Sequence, residues 1–175
     1  MFRDFESYVK KEHQRIAFEA NGNTDIKCAA RDCDLDRLSD LLEETESETM
    51  QHEIFIALRV ACHQGQLRVV EHLVPIVHPV TIRGDRGLLL LIHAIVGDGS
   101  HRNWNDRADI VSLLLHKDKN KSLCHIKDDK DTTALYRASL IGHVEIVKML
   151  LEYDADVNMM NGTCTATFLR TSLYL

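Results

Sequence analysis

Between Asp131 and Asn158 the apolar residues fall into two short helical stripes joined by a glycine. Thr133 can cap a helix through its hydroxyl, with Ala134 in the first turn. Leu135 and Ala138 are three apart and share a face. Gly142 can take the left-handed conformation that ends a helix, and His143 follows it. A second stripe then carries Val144, Val147, Leu150 and Leu151 at helical spacing. Glu145 lies near its start and Lys148 nearer its end, the favourable order for the helix dipole. Two short helices with a tight turn make an antiparallel pair. Neither buries its apolar face alone, so such a pair needs neighbours on either side.

The pattern recurs upstream. Ala138 has counterparts at Ala29, Ala61 and Ala94. Ala61 is followed nine residues later by Val70 and then Leu73-Val74, with Gly65 at the turn. Ala29 is followed at nine by Leu38 and then Leu41-Leu42. The steps between these alanines are 32 (61 − 29) and 33 (94 − 61) residues. Asn21-Gly22-Asn23-Thr24-Asp25-Ile26 opens the first of these units, and Gly87 lies four before Leu91 at the same offset as in the first.

The segment Thr133-Ala134-Leu135-Tyr136-Arg137-Ala138, followed by Gly142-His143, Ile146-Val147, Met149-Leu150-Leu151 and Asp154-Ala155-Asp156-Val157-Asn158, resembles an ankyrin repeat. That family has T-P-L-H-x-A in the first position and recurs at about 33 residues. The resemblance implies an all-α solenoid of stacked antiparallel helix pairs with hairpin-like loops. It also implies protein binding through the concave face and the loop tips. Four repeats are expected, at about 21–49, 50–83, 84–128 and 129–161, with a partial fifth at 162–175. The family's loop-tying histidine is replaced in all four, by Lys27, Arg59, Ile92 and Tyr136, which puts inter-repeat stiffness in question. Asp154 stands where the family usually has glycine.

Residues 1–20 read as a capping helix over the first repeat, with Phe5, Tyr8 and Val9 on its apolar side. Cys33 replaces the turn glycine of repeat 1, which should strain or reshape that turn. Repeat 2 ends in a proline-bearing loop, V-P-I-V-H-P-V. Repeat 3 holds an insertion. Ala94 to Val111 is 17 residues against nine elsewhere, so eight extra residues lie around G-D-G-S-H-R-N-W-N-D-R. Arg170-Thr171-Ser172-Leu173 echoes Arg137-Ala138-Ser139-Leu140 at a spacing of 33, and there a fifth repeat begins. Phe168, Leu169, Leu173, Tyr174 and Leu175 would then lie on an uncovered face, so missing repeats or a partner should cover that end.

Composition changes this picture little. Of 175 residues, 45% are hydrophobic and 27% charged, as in ordinary globular domains. The net charge of −6 argues against a non-specific nucleic-acid surface. The start of the chain lacks a signal-peptide apolar core, and the run Leu88 to Val96 is too short to span a membrane. Five cysteines without framework spacing point to reduced thiols and a cytoplasmic, or nuclear, location.

No catalytic constellation stands out, so no enzyme activity and no cofactor are expected. Walker A, G-x-S-x-G and H-E-x-x-H strings are absent from the sequence. G-D-G-S-H-R has Arg102 where a dinucleotide loop needs its third glycine, and it follows a helix rather than a strand. Cys62-His63, Cys124-His125 and the pair Cys28 and Cys33 lack knuckle spacing, so no metal site is expected. Asn120-Lys121-Ser122 and Asn161-Gly162-Thr163 match glycosylation sequons, which a cytosolic chain would not use. Asn158 resembles the asparagine that cytosolic hydroxylases modify in this family.

What remains is a recognition surface for a protein partner. By register the exposed first-helix positions are Arg31, Asp32, His63, Gln64, Arg137, Leu140 and Ile141. Leu140 and Ile141 are apolar where solvent is expected, which reads either as a binding hot spot or as packing against a fifth repeat. A basic loop carries Lys117, Lys119 and Lys121, opposed by an acidic one from Glu43 to Glu48. Such loops steer partners of matching polarity. Trp104, the sole tryptophan, lies in the polar insertion, either as an interface anchor or folded back over repeat 3. The chain is thus expected to be an adaptor or scaffold segment. The alternative is the regulatory repeat region of a larger enzyme or channel whose active part lies beyond Leu175.

Overall fold

The computed structural model describes residues 25–43, 48–77, 84–97, 104–118, 121–128 and 132–157, and the side chains of all of these except 27, 31, 43, 48–50 and 84–86. The expected cap at 1–20 and the partial fifth repeat at 162–175 lie outside this set.

Among the described residues every regular element is helical. In chain order they are α1 (Asp25–Asp32), α2 (Leu35–Glu43), α3 (Glu48–Gln64), α4 (Leu67–Leu73), α5 (Gly84–Val96), α6 (Trp104–Lys117), a 3-10 turn (Ser122–Cys124), α7 (Ala134–Ile141) and α8 (Val144–Glu152). They pair as α1/α2, α3/α4, α5/α6 and α7/α8. The first helices α1, α3, α5 and α7 stack on one another in one layer, and α4, α6 and α8 stack in a second. Between the layers runs one continuous core of Leu, Ile, Val and Ala side chains, from Ile26 to Leu150. Leu58, Leu73, Leu90, Leu91, Ile110 and Leu114 are all fully buried within it. The middle pairs bury both flanks, so residues 57–63 of α3 and 90–95 of α5 are buried throughout. This is the stacked-pair architecture that the resemblance implied.

The turn ending each first helix is built the same way. Cys33, Gly65, Gly97 and Gly142 all have positive φ, at 57°, 70°, 53° and 81°. In three repeats the recurrent alanine carbonyl accepts the N–H that opens the next helix. Asp34 donates to Ala29, Gln66 to Ala61 and His143 to Ala138, at 2.9, 2.9 and 3.1 Å. Cys33 therefore keeps the shape of the glycine turn instead of altering it. What it carries is the steric cost of a side chain in the left-handed region, about 1–2 kcal/mol. Thr133 caps α7 as expected, its Oγ1 accepting from the Tyr136 N–H at 3.3 Å.

Repeat 3 departs from the reading of the sequence. Trp104 does not sit in a loop; it is the first residue of α6, which reaches 14 residues against nine in α8. Part of the insertion is thus an added helical turn. Aligning Ile110-Val111 with Ile146-Val147 puts Arg107 where repeat 4 has His143.

Candidate partner-binding surface

Asp32 and Gln64 lie at equivalent places, the last residue of α1 and of α3, and both are exposed. Ile141 is the corresponding residue of α7; it is half-buried and packs against the core, and Leu140 beside it is half-buried too. These positions form a row along the ends of the first helices, one per repeat. Arg31 lies in α1, with its side chain outside the described set, and Lys119 is outside it altogether.

Two residues expected on the exposed surface are buried. His63 is 6% exposed, and its ring meets His93 edge-on with centroids 5.7 Å apart. Arg137 is 3% exposed, and its Nη2 donates to the Asp128 carboxylate at 2.7 Å. That carboxylate also accepts from the Thr132 N–H at 2.9 Å and the Thr132 hydroxyl at 2.7 Å. Burial would push the Asp128 carboxyl up, but the Arg137 and Thr132 donors outweigh it and hold it below the ordinary value. Arg137 thus ties Asp128 to α7. The burial comes from neighbouring repeats, which a register count along one repeat does not include.

The basic loop is less open than its sequence. Lys117 is half-buried at the end of α6, and Asp118 is 1% exposed. The Asp118 carboxylate accepts the Leu123 N–H at 2.7 Å and the Ser122 hydroxyl at 3.1 Å, fixing the 3-10 turn. Lys121 is exposed but pairs with Asp154 at 2.5 Å, one repeat further on. This hydrogen bond and the charge of Asp154 raise the ammonium's pKa, while the lysine lowers that of the Asp154 carboxyl. Lys121 also sits 5.9 Å from the centre of the Tyr153 ring, and the Tyr153 hydroxyl lies 2.8 Å from His116 Nδ1. The surface here is a mixed ion-pair network.

Trp104 is half-buried, and its indole stacks on the His143 imidazole, centroids 4.5 Å apart and planes at 17°. The indole thus lies against repeat 4, where the fold-back reading put it over the flank of repeat 3. Two exposed apolar residues escaped the sequence reading: Ile76 at 42% and Val157 at 45%. The signal for Ile76 was an aliphatic residue after Pro75 in a loop; for Val157 it was an apolar residue among Asp154, Asp156 and Asn158.

The residue types that invited chemistry are placed for packing. Burial raises the Cys62 thiol far above its ordinary value, with Arg107 opposing weakly. Burial, with Asp118 adding to it, pushes the Cys124 thiol up to about 11. A protonated thiol is a poor nucleophile and a poor metal ligand. Among the described residues no three His, Cys, Asp or Glu side chains gather as a metal site would require. No helix among them is long and apolar enough to cross a membrane.

A stack of helix pairs with left-handed turns and a common two-layer core defines a helical-repeat protein. A family model described as ankyrin repeats, in three copies, matches residues 58–161, more than half of the chain. The chain belongs to the ankyrin-repeat family, whose repeats are in general protein-binding modules. The matched region starts inside α3, so the α1/α2 pair lies upstream of it. Over 58 residues the chain is 41% identical to Serine/threonine-protein kinase VIK of Arabidopsis thaliana. That match covers 33% of this chain and 13% of the kinase. No solved structure matches the chain.

Proposed function

We propose that this chain is a non-catalytic interaction module, an adaptor or scaffold segment that holds a protein partner along the ends of its first helices. The observation that carries the reading is the row on the stacked array: exposed Asp32 and Gln64 at equivalent positions, continued by half-buried Leu140 and Ile141. Polar residues at one end and apolar ones at the other suit a partner with a charged rim and an apolar anchor. The raised Cys62 and Cys124 thiols support a role without nucleophilic chemistry. The test is affinity capture with the intact chain, followed by Asp32→Lys with Gln64→Lys. A partner lost by this double variant but kept by Glu71→Lys and Glu145→Lys, on the second helices, supports the surface. A partner held equally by all of them counts against it.

The kinase match favours a second reading, in which the repeats are the regulatory region of a larger enzyme. Repeats in that setting tether or position the enzyme, and the activity belongs to another domain. Sequencing the transcript past the codon for Leu175 decides between the two. A frame continuing into a kinase domain supports the second reading, and an immediate stop removes it.

A further inference from the structure

His143 occupies a position in which both ring nitrogens are committed. Nε2 lies 3.1 Å from the Trp104 carbonyl oxygen, which can only accept, so Nε2 carries a proton. Nδ1 accepts the Ile146 N–H at 3.4 Å and caps α8, so Nδ1 carries none. The geometry therefore requires the neutral ring in one tautomer. The ring is 3% exposed, and Trp104 lies flat against it.

We propose that His143 is a proton-sensitive clasp: while neutral it caps α8 and lies against Trp104, joining the first turn of α6 to repeat 4, and a second proton breaks the cap on Ile146 and turns the ring out of its stack with the indole. A proton on Nδ1 would face the Ile146 N–H, a donor against a donor. It would also place a cation at the N-terminal, positive end of α8. The bond from Nε2 to the Trp104 carbonyl and the charge of Glu145 on α8 favour the cation, and Arg107 of α6 opposes it. The charged side chain of α7, Arg137, is paired with Asp128. Burial is the largest influence and lowers the pKa below its ordinary 6.5. The consequence falls next to Ile141 and Gly142, so the surface offered by repeat 4 changes with proton uptake, as does the start of α6 after the insertion.

Trp104 is the sole tryptophan, so its emission reads this contact directly. The experiment follows its emission maximum and the far-ultraviolet helical signal of the intact chain from pH 8 to about 5. The expected result is one step to longer wavelength, centred below 6.5, with the helical signal unchanged. His143→Asn keeps a side-chain oxygen for the Ile146 N–H but cannot titrate, and its emission should be flat. Wild-type emission that moves only when helicity is lost overturns the proposal, and so does an equal step in His143→Asn. If that variant does not fold, nitrogen-resolved NMR of the wild-type imidazole serves instead. A ring protonated on Nε2 that gains its second proton below 6.5 together with the indole shift is expected. A ring titrating at or above that value overturns the clasp.

Discussion

Three glycines of this chain share a backbone conformation and differ only in what a methyl group would meet. Gly65, Gly97 and Gly142 have φ of 70°, 53° and 81°. Replacement by alanine costs each about 1–2 kcal/mol of left-handed strain. At Gly142 the new Cβ has nothing within 4 Å, so strain is the whole effect. At Gly65 it would lie 3.6 Å from Arg107 Cγ, Cζ and Nε, an ordinary contact, so the cost should be similar. At Gly97 it would fall on Nη1, Cζ and Nη2 of Arg107, so the guanidinium must move. That guanidinium is 3% exposed and donates to the carbonyls of Ala94 and His63, each at 3.2 Å. Hydrogen bonds to a charged group are worth about 1.5–3 kcal/mol each, so losing both adds about 3 kcal/mol or more to the strain. Urea unfolding at unchanged m-value measures the three differences. The expected order is Gly97→Ala far worse than Gly65→Ala, which is close to Gly142→Ala. In an Arg107→Ala background the extra cost of Gly97→Ala should vanish, because the clashing partner is gone. Three equal losses, or an excess that persists without Arg107, would refute the argument.

Further expectations rest on other contacts. Arg107→Lys should destabilise the array measurably in the same urea assay, because one ammonium on a flexible stem cannot hold two carbonyls as the planar fork does. Asp128→Asn leaves the buried Arg137 charge without its counter-ion and should cost about 3–5 kcal/mol, read as a fall in urea midpoint. The Asp128 carboxyl is lowered on folding, so its contribution is present above the unfolded value of 3.8 and lost as pH falls through the folded one. Acid titration of stability should therefore flatten below 3.8 in Asp128→Asn relative to the wild type. Thiol titration of the native chain should show Cys33, exposed at the end of α1, reacting at once, while buried Cys62 and Cys124 react only on unfolding. Cys33→Ser should lower the early thiol count by one.

Much of this fold could be read in the residues. The alanine-to-turn spacing marked the first helices, because each alanine combines a small side chain with the carbonyl that closes the turn, as at Ala29, Ala61 and Ala138. Thr133 and Gly142 announced their caps through local chemistry. The candidate surface was less legible because burial depends on neighbours one repeat away. His63 and Arg137 stand in register with residues that solvent usually reaches, yet His93 covers one and Asp128 binds the other. Lys121 read as an open charge because its counter-ion, Asp154, lies 33 residues downstream. Arg107 was hidden by the insertion: counted forward from Ala94 it falls in a loop, and only counting back from Ile110 puts it in register with His143.

That register gives the insertion its structural meaning. All four repeats lack the family's loop histidine, so the joints between them need other ties. One runs between second helices, where Ser39 Oγ lies 3.1 Å from His72 Nε2, a step of 33 residues. Two more come from a single register position. Arg107 takes the Ala94 carbonyl, whose counterparts in the other repeats accept a backbone N–H. Its long side chain reaches on to the His63 carbonyl of repeat 2. His143 makes the next joint by holding the Trp104 carbonyl of repeat 3. Both carbonyls held by Arg107 lie in the last turn of a first helix, α3 and α5, where the dipole favours a cation. The added turn of α6 thus supplies Trp104 for the joint that follows and Arg107 for the joint that precedes. Both of these ties lie at the turn end of the helices, so a perturbation at either should be felt first beside Gln64 and Ile141.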